Sequence, residues 1–142
     1  MNHAIKVITL IAAVTLLAGC GEDRANPVVK TEADRVMESY LSHVQKIGEL
    51  LGDVRSEPEA KAVTPKILLI VEDMRSLMPR MKALCDKEQA DTMSKFRVKI
   101  NNVNKQFAKD VTHFVQAVPD ASEDLVEQLK NMPPIIEDDT SG

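Results

Sequence analysis

The chain has 142 residues with a net charge of −4, and 44% of them are hydrophobic, which is enough for one domain with its own core. Only 3% are aromatic and there is no tryptophan, so the cations are not interleaved with rings as in a stacking platform, and we predict no nucleic-acid partner. Glycine occurs five times, without the phosphate loops or nucleophile elbows of enzymes, so we predict no enzymatic activity. A glycine-poor chain rich in Met, Leu and Lys is typical of an all-helical protein.

The N-terminal segment has the pattern of a targeting sequence. Residues 1–6 contain one cation, Lys6, and an apolar run follows from Val7 to Leu17. This run is shorter than the about 20 apolar residues that a helix needs to cross a ~30 Å hydrocarbon core, so a processed segment explains it better. The run ends at Leu17-Ala18-Gly19-Cys20, which resembles the lipobox of bacterial lipoproteins. The resemblance implies a lipoprotein signal peptide at residues 1–19.

The resemblance to lipoproteins also implies a lipid anchor and a location. Cys20 would carry a diacylglycerol on its thiol and a further acyl chain, such as palmitate, on its freed amino group. Two or more chains hold a protein stably, at ~0.8 kcal/mol per buried methylene. Gly21 stands where aspartate would favour inner-membrane retention, so the resemblance implies the outer membrane, facing the periplasm. A host with a single membrane would leave the protein on the cell exterior.

Residues 20–30 are predicted to be the lipidated cysteine and a polar tether, because Pro27 disfavours helix there. Ten extended residues reach at most ~35 Å. The predicted domain, residues 31–132, would therefore stand close to its membrane.

The first predicted helix opens at Thr31, an N-cap residue followed by acids. Its apolar residues recur at alternating spacings of three and four, which is typical of a bundle face. They are Met37, Tyr40, Val44, Ile47, Leu51 and Val54, with Leu41 and Leu50 widening the face.

The second predicted helix opens with a capping box, Ser56 with Glu59. Its apolar positions keep the same spacing throughout: Ala60, Val63, Ile67, Ile70, Met74, Leu77, Met81 and Leu84. Pro65 and Pro79 fall inside this run. Because the spacing continues on both sides of each proline, we favour one helix kinked at the prolines. The alternative is a fresh start at Thr64-Pro65, which is also a good N-cap and first-turn pair.

The third and fourth predicted helices open with capping patterns at Asp86 and Asp120, and Pro119 ends the third. Apolar residues of the third are Met93, Phe96, Ile100, Val103, Phe107, Val111, Phe114 and Val118; those of the fourth are Leu125, Val126, Leu129 and Met132. Residues 133–142 are predicted to be an acidic disordered tail. Since the joints are short, we predict an all-α fold: an antiparallel three-helix bundle, its middle helix kinked at prolines, with a short fourth C-terminal helix.

Two groups of residues have the side-chain types of a cofactor site. Met74, Met78 and Met81 share one side of the second helix and offer thioethers, which suit cuprous copper. The core already requires Met74 and Met81, however, so gap filling is the favoured interpretation and the three remain weak metal candidates. For haem, Met37 and His113 are the best-separated ligand pair, but only their residue types support it. We predict no cofactor.

Three further residues invite a functional interpretation. Cys85 is the thiol that would remain after acylation of Cys20, and it is interpreted as a small buried hydrophobe that could otherwise bridge two copies. Gly48 and Gly52 lie four apart and are interpreted as a close approach of a neighbouring helix or as early fraying.

Charge is distributed unevenly along the chain. Residues 21–64 carry nine acids against six bases, residues 65–109 five against ten, and residues 110–142 eight against one. Helices packing through complementary surfaces would give such a split, and so would a contact surface for an anionic polymer, a lipid headgroup or a partner protein. The cations that we single out as weak partner-binding candidates are Arg80, Lys82, Lys95, Arg97, Lys99 and Lys105.

Together, these features predict a membrane-anchored periplasmic lipoprotein that acts as a non-enzymatic binding or adaptor protein of the cell envelope. Its expected partners are the membrane, through the lipid anchor, and an envelope protein, and a homo-oligomer is left open. The alternative is a periplasmic helical-bundle protein that binds copper or haem.

Overall fold

A computed structural model describes residues 30–132, and this part of the chain is all-helical. Its four helices pack as a bundle, which confirms the predicted fold class. The signal peptide, Cys20 and the acidic tail lie outside the described residues, so those predictions stay predictions.

Helix α1 spans Glu32–Gly52 and begins where its sequence predicts. The Thr31 hydroxyl accepts a hydrogen bond from the Asp34 backbone N–H at 3.1 Å, and the Asp34 carboxylate accepts one from the Thr31 N–H at 3.1 Å. This reciprocal capping box satisfies two N–H groups that a helix start leaves unpaired. All six predicted seam residues of this segment are buried, from Met37 to Val54.

Helix α2 spans Glu57–Lys82 and contains both Pro65 and Pro79, so no new helix starts at Thr64. Ser56 is its N-cap, as predicted, but the side chain makes no capping hydrogen bond. The Glu59 carboxylate accepts a hydrogen bond from the Arg55 N–H at 2.7 Å, one residue earlier than a capping box requires.

Helix α3 spans Asp86–Ala117, and its N-cap is Cys85 rather than the predicted Asp86. The Glu88 carboxylate accepts from the Cys85 N–H at 3.1 Å, which places the capping pattern one residue earlier than expected. Helix α4 spans Pro119–Lys130. Pro119 is therefore the first residue of α4, where its missing N–H costs nothing, and the N-cap is Val118, two residues before the predicted Asp120.

The core is built from the predicted seams, because the apolar sides of all four helices bury into one cluster. Helix α1 packs most extensively against α3 and also against α2, while α4 contacts both α2 and α3. Side-chain contacts show which ends are adjacent. Arg80 near the end of α2 pairs with Glu32 at the start of α1, and Lys95 near the start of α3 pairs with Asp34.

Candidate functional site

Two of the candidate cations are used inside the molecule. The Arg80 guanidinium forms an ion pair with the Glu32 carboxylate, with Arg80 Nε donating to Glu32 Oε1 at 2.8 Å. Lys95 Nζ donates to Asp34 Oδ2 at 2.5 Å. Both pairs join α1 to a neighbouring helix, as expected if part of the charge split serves packing.

The Asp34–Lys95 pair differs from the other because its carboxylate is buried. The Asp34 side chain is 3% exposed, whereas that of Lys95 is 45% exposed and extends toward solvent. Burial acts to raise the pKa of Asp34, but the hydrogen bonds from Lys95 and Thr31 and the charge of Lys95 outweigh it and lower the pKa below its usual value. Asp34 is thus ionised at neutral pH, completing the α1 cap and fixing α3 beside α1.

The other candidates on α3 are exposed and have no ion-pair or hydrogen-bonding partner within residues 30–132: Arg97, Lys99 and Lys105. Lys109 shares these properties, although the sequence analysis did not single it out. With about 3.6 residues per turn, Lys105 and Lys109 lie on the same outward side as Val98, and Arg97 and Lys99 flank Val98 on either side. We call these four cations the α3 cationic face. Lys82 is exposed near the end of α2 and does not belong to this face, which consists of α3 residues.

The methionine cluster is part of the hydrophobic core. Met74 is 0% and Met81 4% exposed, and Met78 is partly buried and packs against the same cluster. This arrangement accounts for all three thioethers by packing, as the favoured interpretation expects. Within residues 30–132, no group of three His, Cys, Asp or Glu side chains is arranged to hold a metal ion.

The structure does not bring Met37 and His113 together. His113 Nε2 contacts the Arg55 guanidinium, just after the end of α1, while Met37 is buried in the second turn of α1. The fifteen residues from Met37 to Gly52 span about 22 Å of helix. The two candidate haem ligands are therefore not brought together, because they lie toward opposite ends of α1.

Cys85 is exposed, so the interpretation as a buried hydrophobe is wrong. The residue occupies the N-cap of α3 at the α2–α3 joint, where the chain leaves the core between two helices. Sequence periodicity placed it beside Leu84, which is itself only half-buried.

An open cleft of about 390 Å³ lies between α1 and α3, a feature that the sequence analysis missed. Gly48 and Gly52 line it on α1, and the Asp110 side chain of α3 lies over them. A Cβ atom at Gly48 would be 2.8 Å from Asp110 Oδ2, so the glycines make room for this carboxylate. Gln106 donates to Asp110 Oδ1 at 2.9 Å and holds it in place. The helix-approach interpretation of the two glycines is confirmed.

An exposed apolar surface on α2 was not predicted from the sequence either. Leu69 is 70% and Leu68 38% exposed. The sequence contains an indication of this exposure, since neither leucine belongs to the three-and-four spacing that runs through Ile67 and Ile70.

No protein-family model, curated protein or solved structure matches this chain. Between residues 30 and 132, none of the helices combines the length and apolar character needed to cross a membrane. The functional conclusion therefore depends on the residues themselves.

Proposed function

We propose that this protein is a lipid-anchored lipoprotein of the bacterial cell envelope that works by binding an acidic partner protein, without enzymatic activity. Its anchor would be acylated Cys20, most consistent with the outer membrane facing the periplasm. The domain would be an up-down-up three-helix bundle whose middle helix bends at Pro65 and Pro79, with α4 covering the groove between α2 and α3.

The α3 cationic face is the observation that carries the proposal. Arg97, Lys99, Lys105 and Lys109 are exposed and have no acidic partner within residues 30–132, whereas Arg80 and Lys95 are neutralised by α1. Surface cations without acidic partners along the solvent-exposed side of one helix raise the local potential and attract anionic groups within a Debye length, ~8 Å at physiological salt. An acidic protein surface would satisfy these cations.

Position relative to the anchor supports the same proposal. Helix α1 begins two residues after Lys30, so the predicted tether would hold the start of α1 within ~35 Å of the membrane. Because Lys95 lies beside Asp34, the first third of α3 would be at this membrane-proximal end. The α3 cationic face would extend from there away from the membrane, within reach of another envelope component.

The anchor is tested by Cys20→Ala. We expect wild-type protein to enter the detergent phase on partitioning, with a mature mass that includes acyl chains, and the variant to remain unprocessed or soluble. A variant that stays in the detergent phase with unchanged mature mass would refute lipid anchoring.

The partner surface is tested by chemical cross-linking in intact cells followed by mass spectrometry. Arg97→Glu/Lys105→Glu reverses two cations of the face without touching the Asp34–Lys95 pair. The matched control is Lys46→Glu/Lys61→Glu, which changes the net charge equally at exposed positions of α1 and α2.

We expect the first variant to lose a specific cross-linked envelope protein that the control retains, and the cross-link to weaken as salt rises. Equal retention by both variants would eliminate the α3 cationic face as the contact surface. A protein without any partner that is purified with bound metal or haem would instead favour a cofactor-binding function.

A further inference from the structure

The outward side of α2 carries an apolar patch that consists of Ala62, Pro65, Leu68 and Leu69. All four residues are exposed, and Leu69 is 70% exposed near the centre of the patch. Ala62, Pro65 and Leu69 follow one another at spacings of three and four, so they share one side of the helix. In the part of the chain that the structure describes, Val98 is the only other large hydrophobic side chain with comparable exposure.

No helix of the described domain covers this patch. The buried residues of α2, among them Ile67, Val71 and Met74, lie on the other side of the helix. Helices α1 and α4 therefore meet α2 away from the patch. The patch contributes nothing to the monomer core, which raises the question of what it contacts.

Charges beside the patch point to a second copy of this chain. Lys66 is exposed and makes no ion pair or hydrogen bond within residues 30–132. The Asp73 side chain is 73% exposed, and His43 Nε2 is 3.9 Å from Asp73 Oδ2. Lys66 and Asp73 are seven residues apart, which is two helical turns, so they lie on the same flank of α2. Leu69 lies midway between them along the helix.

We propose that the α2 patch is a self-association surface through which two copies pack their α2 helices antiparallel about a two-fold axis close to Leu69. A two-fold contact uses the same surface on both subunits, so each residue must complement its symmetry mate. Antiparallel packing places Leu69 next to the partner's Leu69 and Lys66 opposite the partner's Asp73. The second Lys–Asp pair follows from symmetry, giving two ion pairs around an apolar centre.

The small apolar area of the proposed contact predicts a weak dimer. Four small or medium apolar residues bury less than the ~800 Å² per partner of a stable interface. Exposed ion pairs fix the register of the two helices more than they increase the affinity of the dimer. Association would become substantial where copies are concentrated, and a membrane anchor would supply that concentration. This concentrating effect depends on the proposed anchor.

The first test is disulfide trapping of the full chain in intact cells with diamide as oxidant. Leu69→Cys and the control Val98→Cys are each made in a Cys85→Ala background, and the background alone gives the baseline from Cys20. Val98 is a matched control because it is 72% exposed against 70% for Leu69. We expect a homodimer, identified by mass, to form several-fold faster in the Leu69→Cys variant. Equal or slower dimer formation than in the Val98→Cys variant would overturn the proposal.

The second test reverses the flanking charges in the Leu69→Cys reporter. Lys66→Glu alone and Asp73→Lys alone are each expected to lower the dimer yield about fivefold, because two attractions become two repulsions. The double variant Lys66→Glu/Asp73→Lys restores both pairs with opposite polarity, so the yield should recover. All positions are exposed, and unchanged circular dichroism would verify folding.

A double variant that forms the disulfide-linked dimer no better than the single variants would rule out this symmetric pairing. A disulfide to a different protein would assign the patch to another partner.

These outcomes are separate from those of the proposed function. The trapping experiment concerns α2, whereas the partner experiment concerns the α3 cationic face. Loss of an envelope partner on reversal of Arg97 and Lys105 would leave the α2 dimer intact, and failure of the dimer would leave the partner surface unaffected.

Discussion

Helix α1 packs against α3 and against α2 in different ways. Toward α3 it presents two glycines, which accommodate the Asp110 side chain, and the buried carboxylate of Asp34. Toward α2 it presents the exposed Glu32–Arg80 pair and the long contact of His43 with Asp73. Both interfaces add apolar residues to one core. The difference shows that similar hydrophobic seams can support either a close, specifically shaped contact or one with solvent-exposed polar edges.

Two acids at the start of α1 show the same difference at the level of single residues. Glu32 is 49% exposed and Asp34 is 3% exposed, although only one residue separates them. An exposed ion pair contributes about 0–1 kcal/mol because water solvates both partners. A buried carboxylate must keep its hydrogen bonds, since an unpaired one is strongly destabilising.

Phe107→Ala, in the contact between α1 and α3, is expected to have the largest effect. Phe107 is 3% exposed and its ring lies beside Gly48. Truncation should lower the free energy of unfolding by about 3–5 kcal/mol, because the buried apolar ring is removed and a cavity remains in the core. Urea denaturation of the purified protein measures this loss. Val98→Ala on the same helix is the control and should change stability by less than about 0.5 kcal/mol.

Asp34→Asn should cost about 1.5–3 kcal/mol, the range for hydrogen bonds to a charged group. The substitution keeps the shape of the side chain but removes the charge that Lys95 and the helix N-terminus stabilise. The same urea titration gives this value at pH 7. A loss no greater than that of Glu32→Gln would show that burial does not distinguish the two acids.

The Asp34 effect should depend on pH in a defined direction. The folded-state pKa of Asp34 is lowered, so its contribution to stability is fully present above the unfolded pKa of about 3.9 and is lost as pH falls through the folded pKa. The difference in stability between wild type and Asp34→Asn should therefore be constant near neutrality and shrink below about pH 4. A difference that grows on acidification would contradict the lowered pKa.

Gly48→Ala tests the close approach of α3 through a double-mutant cycle. In wild type the new methyl group would lie 2.8 Å from Asp110 Oδ2, so the substitution should not stabilise the protein. In an Asp110→Ala background it should stabilise by about 1 kcal/mol, the helix-propensity difference between alanine and glycine. Additive effects in thermal or urea unfolding would mean that Asp110 is not restricted by the glycines.

Glu32→Gln is expected to have the smallest effect, below about 1 kcal/mol, because the pair with Arg80 is about half exposed on both sides. Arg80→Gln should cost a similar amount, and the two substitutions together should cost little more than either alone. A loss of several kcal/mol in urea denaturation would indicate that the contact between α1 and α2 depends on this pair after all.

Much of the fold could be predicted because helices are specified locally. Thr31 and Pro65 illustrate this: the first is a cap that works within one turn, and the second lies in a run whose hydrophobic spacing continues on both sides. The N-caps of α3 and α4 lie one and two residues before the predicted ones, because several neighbouring residues can start a helix and tertiary packing selects among them.

The candidate site was much less predictable. Six cations looked equivalent in sequence, and only packing distinguishes Lys95, which pairs with a buried acid, from Lys99 and Lys105, which face solvent. The exposure of Leu69 and the separation of Met37 from His113 were not predicted, for a related reason. Which residues meet across helices depends on the relative position and rotation of the helices, which spacing within one helix does not contain.

By itself, the sequence determined the helical class, the residues of each apolar seam and the lipobox on which the proposed anchor rests, because each of these is encoded within a few neighbouring residues. The tertiary structure alone decided that Asp34 is buried against Lys95, that Gly48 and Gly52 accommodate Asp110, and that the α2 patch is uncovered. Such features arise between segments far apart in the chain, where the free energy of packing three helices together selects one arrangement from many that share the same local pattern.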